Sequence, residues 1–107
     1  MIKVYQIILT DAEVNIINSD GEYTPRIKAF FDRSFDSKFK AKNFLYYNHV
    51  ANVNTNDMEE AFRAMNLWDG TEDMVQKLAP CSSMSVGDIL EVDGNLFRCA
   101  SFGFTAL

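Results

Sequence analysis

His49, Cys81 and Cys99 are the only imidazole and thiol side chains in the sequence, so any nucleophilic or histidine-based metal chemistry must start from them. A nucleophile pair would set one cysteine beside His49, with the imidazole drawing off the thiol proton. A metal site would need His49, both cysteines and a carboxylate to converge from distant positions. The local settings argue otherwise. His49 sits beside Tyr47 in a strand-like run, where a histidine is usually packed or surface-exposed. Cys99 alternates with Phe97 and reads as a small core hydrophobe. Cys81, after Pro80 in a loop, is the more exposed thiol. Among the acids, Asp57, Glu59, Glu60, Glu72 and Asp73 fall in the first turns of expected helices, where the dipole favours them. Asp69 to Asp73 has the composition of a cation loop without the EF-hand spacing or its closing glutamate. No phosphate-cradling Gly-rich loop, GxSxG or HExxH occurs. The expectation is a protein that is not an enzyme and that holds no cofactor and no metal.

Binding chemistry has two candidate locations. Between residues 26 and 42 stand Arg26, Lys28, Arg33, Lys38, Lys40 and Lys42 against Asp32 and Asp36, a local net charge of +4. The rest of the chain holds four basic and thirteen acidic residues, net −9, within a total of −5. Lysines and arginines interleaved with Phe30, Phe31, Phe35 and Phe39 suit an anion or an exposed base. The alternative is an amphipathic helix whose phenylalanines are core. The second location is the Ser/Gly/Asp-rich stretch Ser83, Ser85, Gly87 and Asp88, together with Ser101, Phe102, Gly103 and Phe104. Turn chemistry accounts for both blocks structurally. Serine hydroxyls and Asp88 can satisfy turn backbone, Gly87 can take a backbone conformation closed to other residues, and Gly103 permits a bulge or close approach. A ligand-contacting loop is the alternative.

The elements that would position these residues are readable from local signals. Asp93-Gly94, between two apolar runs, is a type I′ hairpin turn. Val92 then faces Asn95, Leu90 faces Phe97 and Asp88 faces Cys99. Leu90, Val92, Phe97 and Cys99 share a face read as core, with Ile89, Glu91, Leu96, Arg98 and Ala100 on the other. Residues 2–9 form a strand with apolar residues on both parities, hence central in a sheet. Thr10 and Glu13 make a capping box for a helix over 11–18 with Val14 and Ile17 inward. Thr24-Pro25 starts a helix running to about Arg33. Residues 44–53 read as a strand. Asn56 with Glu59 caps a further helix, its inward stripe Met58, Ala61, Phe62 and Met65, and 71–78 forms a short helix.

With 107 residues, 48% hydrophobic and 23% charged, the chain is expected to be one domain over 1–107. Its class is α+β: a mostly antiparallel sheet, helices packed on one face and a C-terminal β-hairpin. No apolar run reaches the roughly 18 residues of a membrane span, and no signal peptide is visible, so the cytoplasm is expected. Two distant cysteines suit reduced thiols.

The stretch Met58 to Asn66, Met-Glu-Glu-Ala-Phe-Arg-Ala-Met-Asn, resembles the acidic, aromatic-bearing helix of the YodL-like domain family. Ser83-Met84-Ser85-Val86-Gly87-Asp88-Ile89, Asp93-Gly94, Phe97 and Ser101-Phe102-Gly103-Phe104 are similar to that family's closing S-[LM]-S-V-[SG]-D-[VI] … S-x-G-F pattern. The similarity spans about the last half of the chain. It implies a small phage or mobile-element protein of uncharacterised function in a bacterial host cell. Two functional expectations follow. The first is an accessory protein binding a host or phage protein through its acidic face and any exposed aromatics, Trp68 above all, the alternative for Trp68 being to fold back on the core. The second is a nucleic-acid-binding protein using Arg26 to Lys42, or a nucleic-acid mimic using the acidic remainder.

Overall fold

The structure, a computed structural model, describes residues 1–67 and 70–107. Trp68 lies outside the described residues. In chain order the elements are β1 (Ile2–Gln6), α1 (Asp11–Asn18), α2 (Pro25–Asp32), a 3₁₀ segment (Ala41–Tyr46), β2 (Asn48–Val53), α3 (Met58–Asn66), a 3₁₀ turn (Glu72–Met74), β3 (Val75–Lys77), β4 (Ile89–Val92), β5 (Asn95–Cys99) and β6 (Phe104–Ala106). The strands make one antiparallel sheet in the order β3-β2-β1-β4-β5-β6. The class is therefore α+β, and β1 is central as its two-sided apolar pattern requires.

The hairpin forms in the expected register, Val92 opposite Asn95 and Leu90 opposite Phe97. Asp93 and Gly94 both take positive φ, 51° and 82°, as a type I′ turn demands. Residues 104–106 do not prolong β5. They turn back at Gly103 (φ 66°), where the Ala100 N–H donates to the Gly103 carbonyl, and form β6 beside β5.

Both faces of the sheet are covered, so the helices do not gather on one side. On the first face Ile2, Val4, Leu90 and Cys99 pack with Ala61 and Ala64 of α3. On the second, Ile7, Ile89 and Tyr47 pack with Ala29 of α2, flanked by Phe30, Phe39, Phe44 and Leu96. Ile89 and Arg98, expected on the outer face of the hairpin, are accordingly buried. Complete burial of an aliphatic side chain such as Leu90 is worth about 2 kcal/mol.

Local signals hold at α1 and α2. The Thr10 hydroxyl accepts from the Glu13 N–H while the Glu13 carboxylate accepts from the Thr10 N–H, and Thr24 caps α2 with Pro25 at its first position. Val14 is exposed, and the half-buried apolar residues of α1 are Ile16 and Ile17. Three other expectations are corrected. Residues 44–46 are 3₁₀ rather than strand, which lets Phe44 turn onto Tyr5 with ring centroids 4.9 Å apart. Residues 75–77 are an edge strand on β2, not helix. Finally, α3 is capped by Asp57, whose carboxylate accepts from the Glu59 and Glu60 N–H groups; Asn56 instead accepts from the Met1 ammonium at 2.7 Å. The buried positions of α3 are Ala61 and Ala64, and Phe62 is exposed.

The cap assignment has a direct consequence. Asp57→Ala should lower unfolding stability by about 1 kcal/mol in urea denaturation, whereas Asn56→Ala should change it by a few tenths at most.

Candidate functional site

The stretch from Ser82 to Asp88 has no regular structure, and side chains supply partners for its backbone. The Gln6 amide donates to the Ser82 carbonyl (3.1 Å) and accepts from the Ser82 N–H (3.2 Å). Asn66, at the end of α3, treats Met84 alike: its amide N–H donates to the Met84 carbonyl (2.9 Å) and its oxygen accepts from the Met84 N–H (2.6 Å). Beyond this pair the chain turns through Asp88, whose buried Oδ2 accepts from the Ser85 N–H (3.0 Å) and the Gln6 amide (2.9 Å).

Gly87 sits under the C-terminal end of α2. It has φ +97°, and a Cβ built on it would lie 2.3 Å from the Arg33 carbonyl oxygen. Its own N–H donates to the Cys99 carbonyl and its carbonyl accepts from the Tyr47 hydroxyl. Arg98, 4% exposed, donates to the same Arg33 carbonyl (2.7 Å) and to the Asp36 carboxylate. Among the described residues the buried Nε atoms of Arg33 and Arg98 find no hydrogen-bond partner.

Burial pushes the Asp88 carboxyl up to about 6, against the pull of the Ser85 N–H, the Gln6 amide and the Arg33 charge. Burial likewise raises the Tyr47 and Cys99 groups, and the Asp88 charge adds to both shifts. Asp36 is held below the usual carboxylate range by hydrogen bonds from Arg98 and Ser101.

These contacts bring the two serine-containing blocks together. Ser85, Val86, Ser101, Gly103 and Phe104 line one groove of about 680 Å³ against Glu59, Phe62, Arg63 and Leu67 of α3 and its exit. Ser83 lies apart, in a neighbouring cavity of about 530 Å³ with Cys81, Glu72 and Lys77. Gly87 and Asp88 are buried beneath the loop and hold its shape. Phe102 stands at the tip of the β5–β6 turn, 95% exposed. Phe62 and Leu67 are members of this surface that sequence spacing had assigned inward or left unassigned. The signal that could have found them is the pair Ala61 and Ala64, small residues that let α3 approach the sheet and turn Phe62 outward.

The basic segment divides. Arg26 pairs with Glu13 and donates to the Ile8 carbonyl (2.7 Å), and Arg33 donates to the Phe30 carbonyl with its guanidinium 3.9 Å from the Phe30 ring centroid. Lys28, Lys38, Lys40 and Lys42 are exposed. His49 Nε2 lies 2.7 Å from Asn52 Oδ1, its ring beside Tyr5, and Cys99 is buried. Among the described residues no group of three or more His, Cys, Asp or Glu converges on a metal position, and no helix is long and apolar enough to cross a membrane.

Comparison of the chain with protein-family models, with curated proteins and with solved structures finds no match.

Two outcomes test the loop. Gly87→Ala combines a left-handed φ with a backbone clash and should cost more than about 3 kcal/mol in urea denaturation. The Asp88 carboxyl binds its proton more tightly folded than unfolded. Its burial therefore costs stability at neutral pH, and stability is regained as pH falls from about 6 toward 4. Asp88→Asn keeps an acceptor for Ser85 and Gln6 and removes the charge. The stability difference between variant and wild type should be largest at pH 7 and shrink by about 2–3 kcal/mol on going to pH 4, measured by denaturant midpoints across that range.

Proposed function

We propose that the chain is a non-enzymatic accessory protein, of the phage or mobile-element setting that its YodL-like features imply, acting in the bacterial cytoplasm by binding a host or phage protein. The observation that carries this reading is Phe102. An aromatic side chain left 95% exposed, on the turn whose Ser101, Gly103 and Phe104 line a groove with Phe62, Leu67 and Val86, is an apolar group offered to a partner.

The adjoining strand supports the same reading. The backbone of β6 pairs with β5 through alternate residues, as the bond from the Leu107 N–H to the Leu96 carbonyl and the turn bond to Gly103 require. Antiparallel alternation then leaves the N–H and C=O groups of Phe104 and Ala106 facing outward. The opposite edge, β3, carries Lys77 and is followed by Pro80, both of which discourage pairing with another chain. From Cys99 to Leu107 there is neither charge nor proline. An extended apolar segment of a partner could therefore hydrogen-bond along β6 and place alternate side chains in the groove. His49 bonded to Asn52, and Cys99 buried with a raised thiol pKa, favour binding over nucleophilic chemistry.

The test is affinity capture from bacterial lysate with tagged protein, after nuclease treatment. Wild type should retain one stoichiometric partner, Phe102→Asp should lose it, and Leu45→Asp, a change at another apolar residue (73% exposed), should keep it. Retention of that partner by the Phe102 variant would overturn the assignment of the groove.

A further inference from the structure

The second face of the sheet presents a surface of different chemistry from the groove. With Arg26 and Arg33 occupied internally, its positive charge is displayed by Lys28, Lys38, Lys40 and Lys42, none of which is ion-paired among the described residues. Two of these cations, Lys38 and Lys28, lie beside exposed aromatic rings. Phe35 is 54% exposed, with the Lys38 ammonium 5.0 Å from its ring centroid. Tyr23 and Phe31 are stacked with centroids 5.4 Å apart and planes inclined by 23°, and both are exposed. Lys28 and Phe31, three residues apart on α2, lie on the same side of the helix.

We infer that this face binds single-stranded nucleic acid, with bases stacking on Phe35 and on the Tyr23–Phe31 pair and phosphates following the four lysines. The ligand class follows from the two features jointly. Unpaired ammonium groups attract any polyanion, but rings left open to water between them gain only from a ligand with planar faces to lay on them. An acidic peptide offers charge without such faces, and duplex bases are already stacked on one another. The net −9 carried outside residues 26–42 limits contact to a short tract, since fields from beyond about 8 Å are screened at physiological salt. This site is separate from the groove and does not depend on the reading of that groove.

Fluorescence anisotropy with a labelled 12-nucleotide oligothymidine tests it. Neutralising four phosphates on a single strand gives a slope of about −3 in log K against log salt, or roughly 50-fold weaker binding at 200 mM than at 50 mM salt. The charge reversals Lys38→Glu, Lys40→Glu and Lys42→Glu, made together, should abolish binding. Phe35→Ala should weaken it about tenfold with the salt slope unchanged, because it removes stacking and no cation. These side chains are exposed, and a thermal melt confirms that each variant is folded. Phe102→Asp should leave oligonucleotide binding as in wild type, which separates this site from the groove. Absence of saturable binding at 50 mM salt, equal affinity for a duplex of the same length, or equal competition by polyglutamate would each overturn the inference.

Discussion

Two side-chain amides, on Gln6 and Asn66, do for the segment between β3 and β4 what a neighbouring strand does elsewhere in the sheet. Each exchanges a donor and an acceptor with a single backbone residue, Ser82 or Met84, which is the pairing that two strand residues make. A loop without secondary structure has backbone groups that must find partners, and a primary amide offers a donor and an acceptor from two separate atoms, spaced as a peptide group spaces them. Because Gln6 also donates to Asp88, the central strand, the loop and the entry to β4 are tied at one point. The position of Ser85 and Val86 beside α3, and hence the wall of the groove, follows from that tie.

The same tie explains which parts of the chain were legible in sequence. Asp93-Gly94, Thr10 with Glu13, and Thr24-Pro25 each specify a conformation through atoms within three or four residues, and each formed as read. Asp57 and Asn56 are adjacent and both competent caps. The helix begins at Met58, so Asp57 is its cap, and Asn56 engages the Met1 ammonium, fifty-five residues away. Residues 75–77 carry helical spacing, yet β2 offers them an open edge and they pair with it. At 75–77 tertiary hydrogen bonds outweighed a weak local preference. Burial of Ile89 and Arg98 was hidden for a related reason: whether the second face of a hairpin is wet depends on where a distant helix docks.

For the candidate site, the residue types were visible and their relationships were not. Gly87 was read as a position needing unusual backbone, and so it is, but the reason is the Arg33 carbonyl packed against it. Asp88 was read as a turn cap and does accept from Ser85. Nothing in the sequence signalled that it would be buried near Arg33 and Tyr47. A carboxylate buried in this way costs stability at neutral pH, since desolvation outweighs what its partners return. Its effect is on shape: Asp88 Oδ2 holds the Ser85 N–H and the Gln6 amide at one point.

Charge and apolarity are then sorted by the sheet itself. β1 has side chains of both parities buried because each face has its own helical cover, and the two covers differ in kind. On one side α3 contributes alanines to the core and leaves Phe62 in a groove that Glu59 and Arg63 also line. On the other, α2 buries Ile27 and Ala29, and its arginine neighbours turn inward to carbonyls and carboxylates. Lysine, a compact and strongly hydrated charge, stays outside where arginine does not. The six basic residues that look uniform in sequence are thus two populations. Arg26 ties α2 to α1 and to the chain leaving β1, Arg33 folds back on its own helix, and the lysines are left to act at a distance.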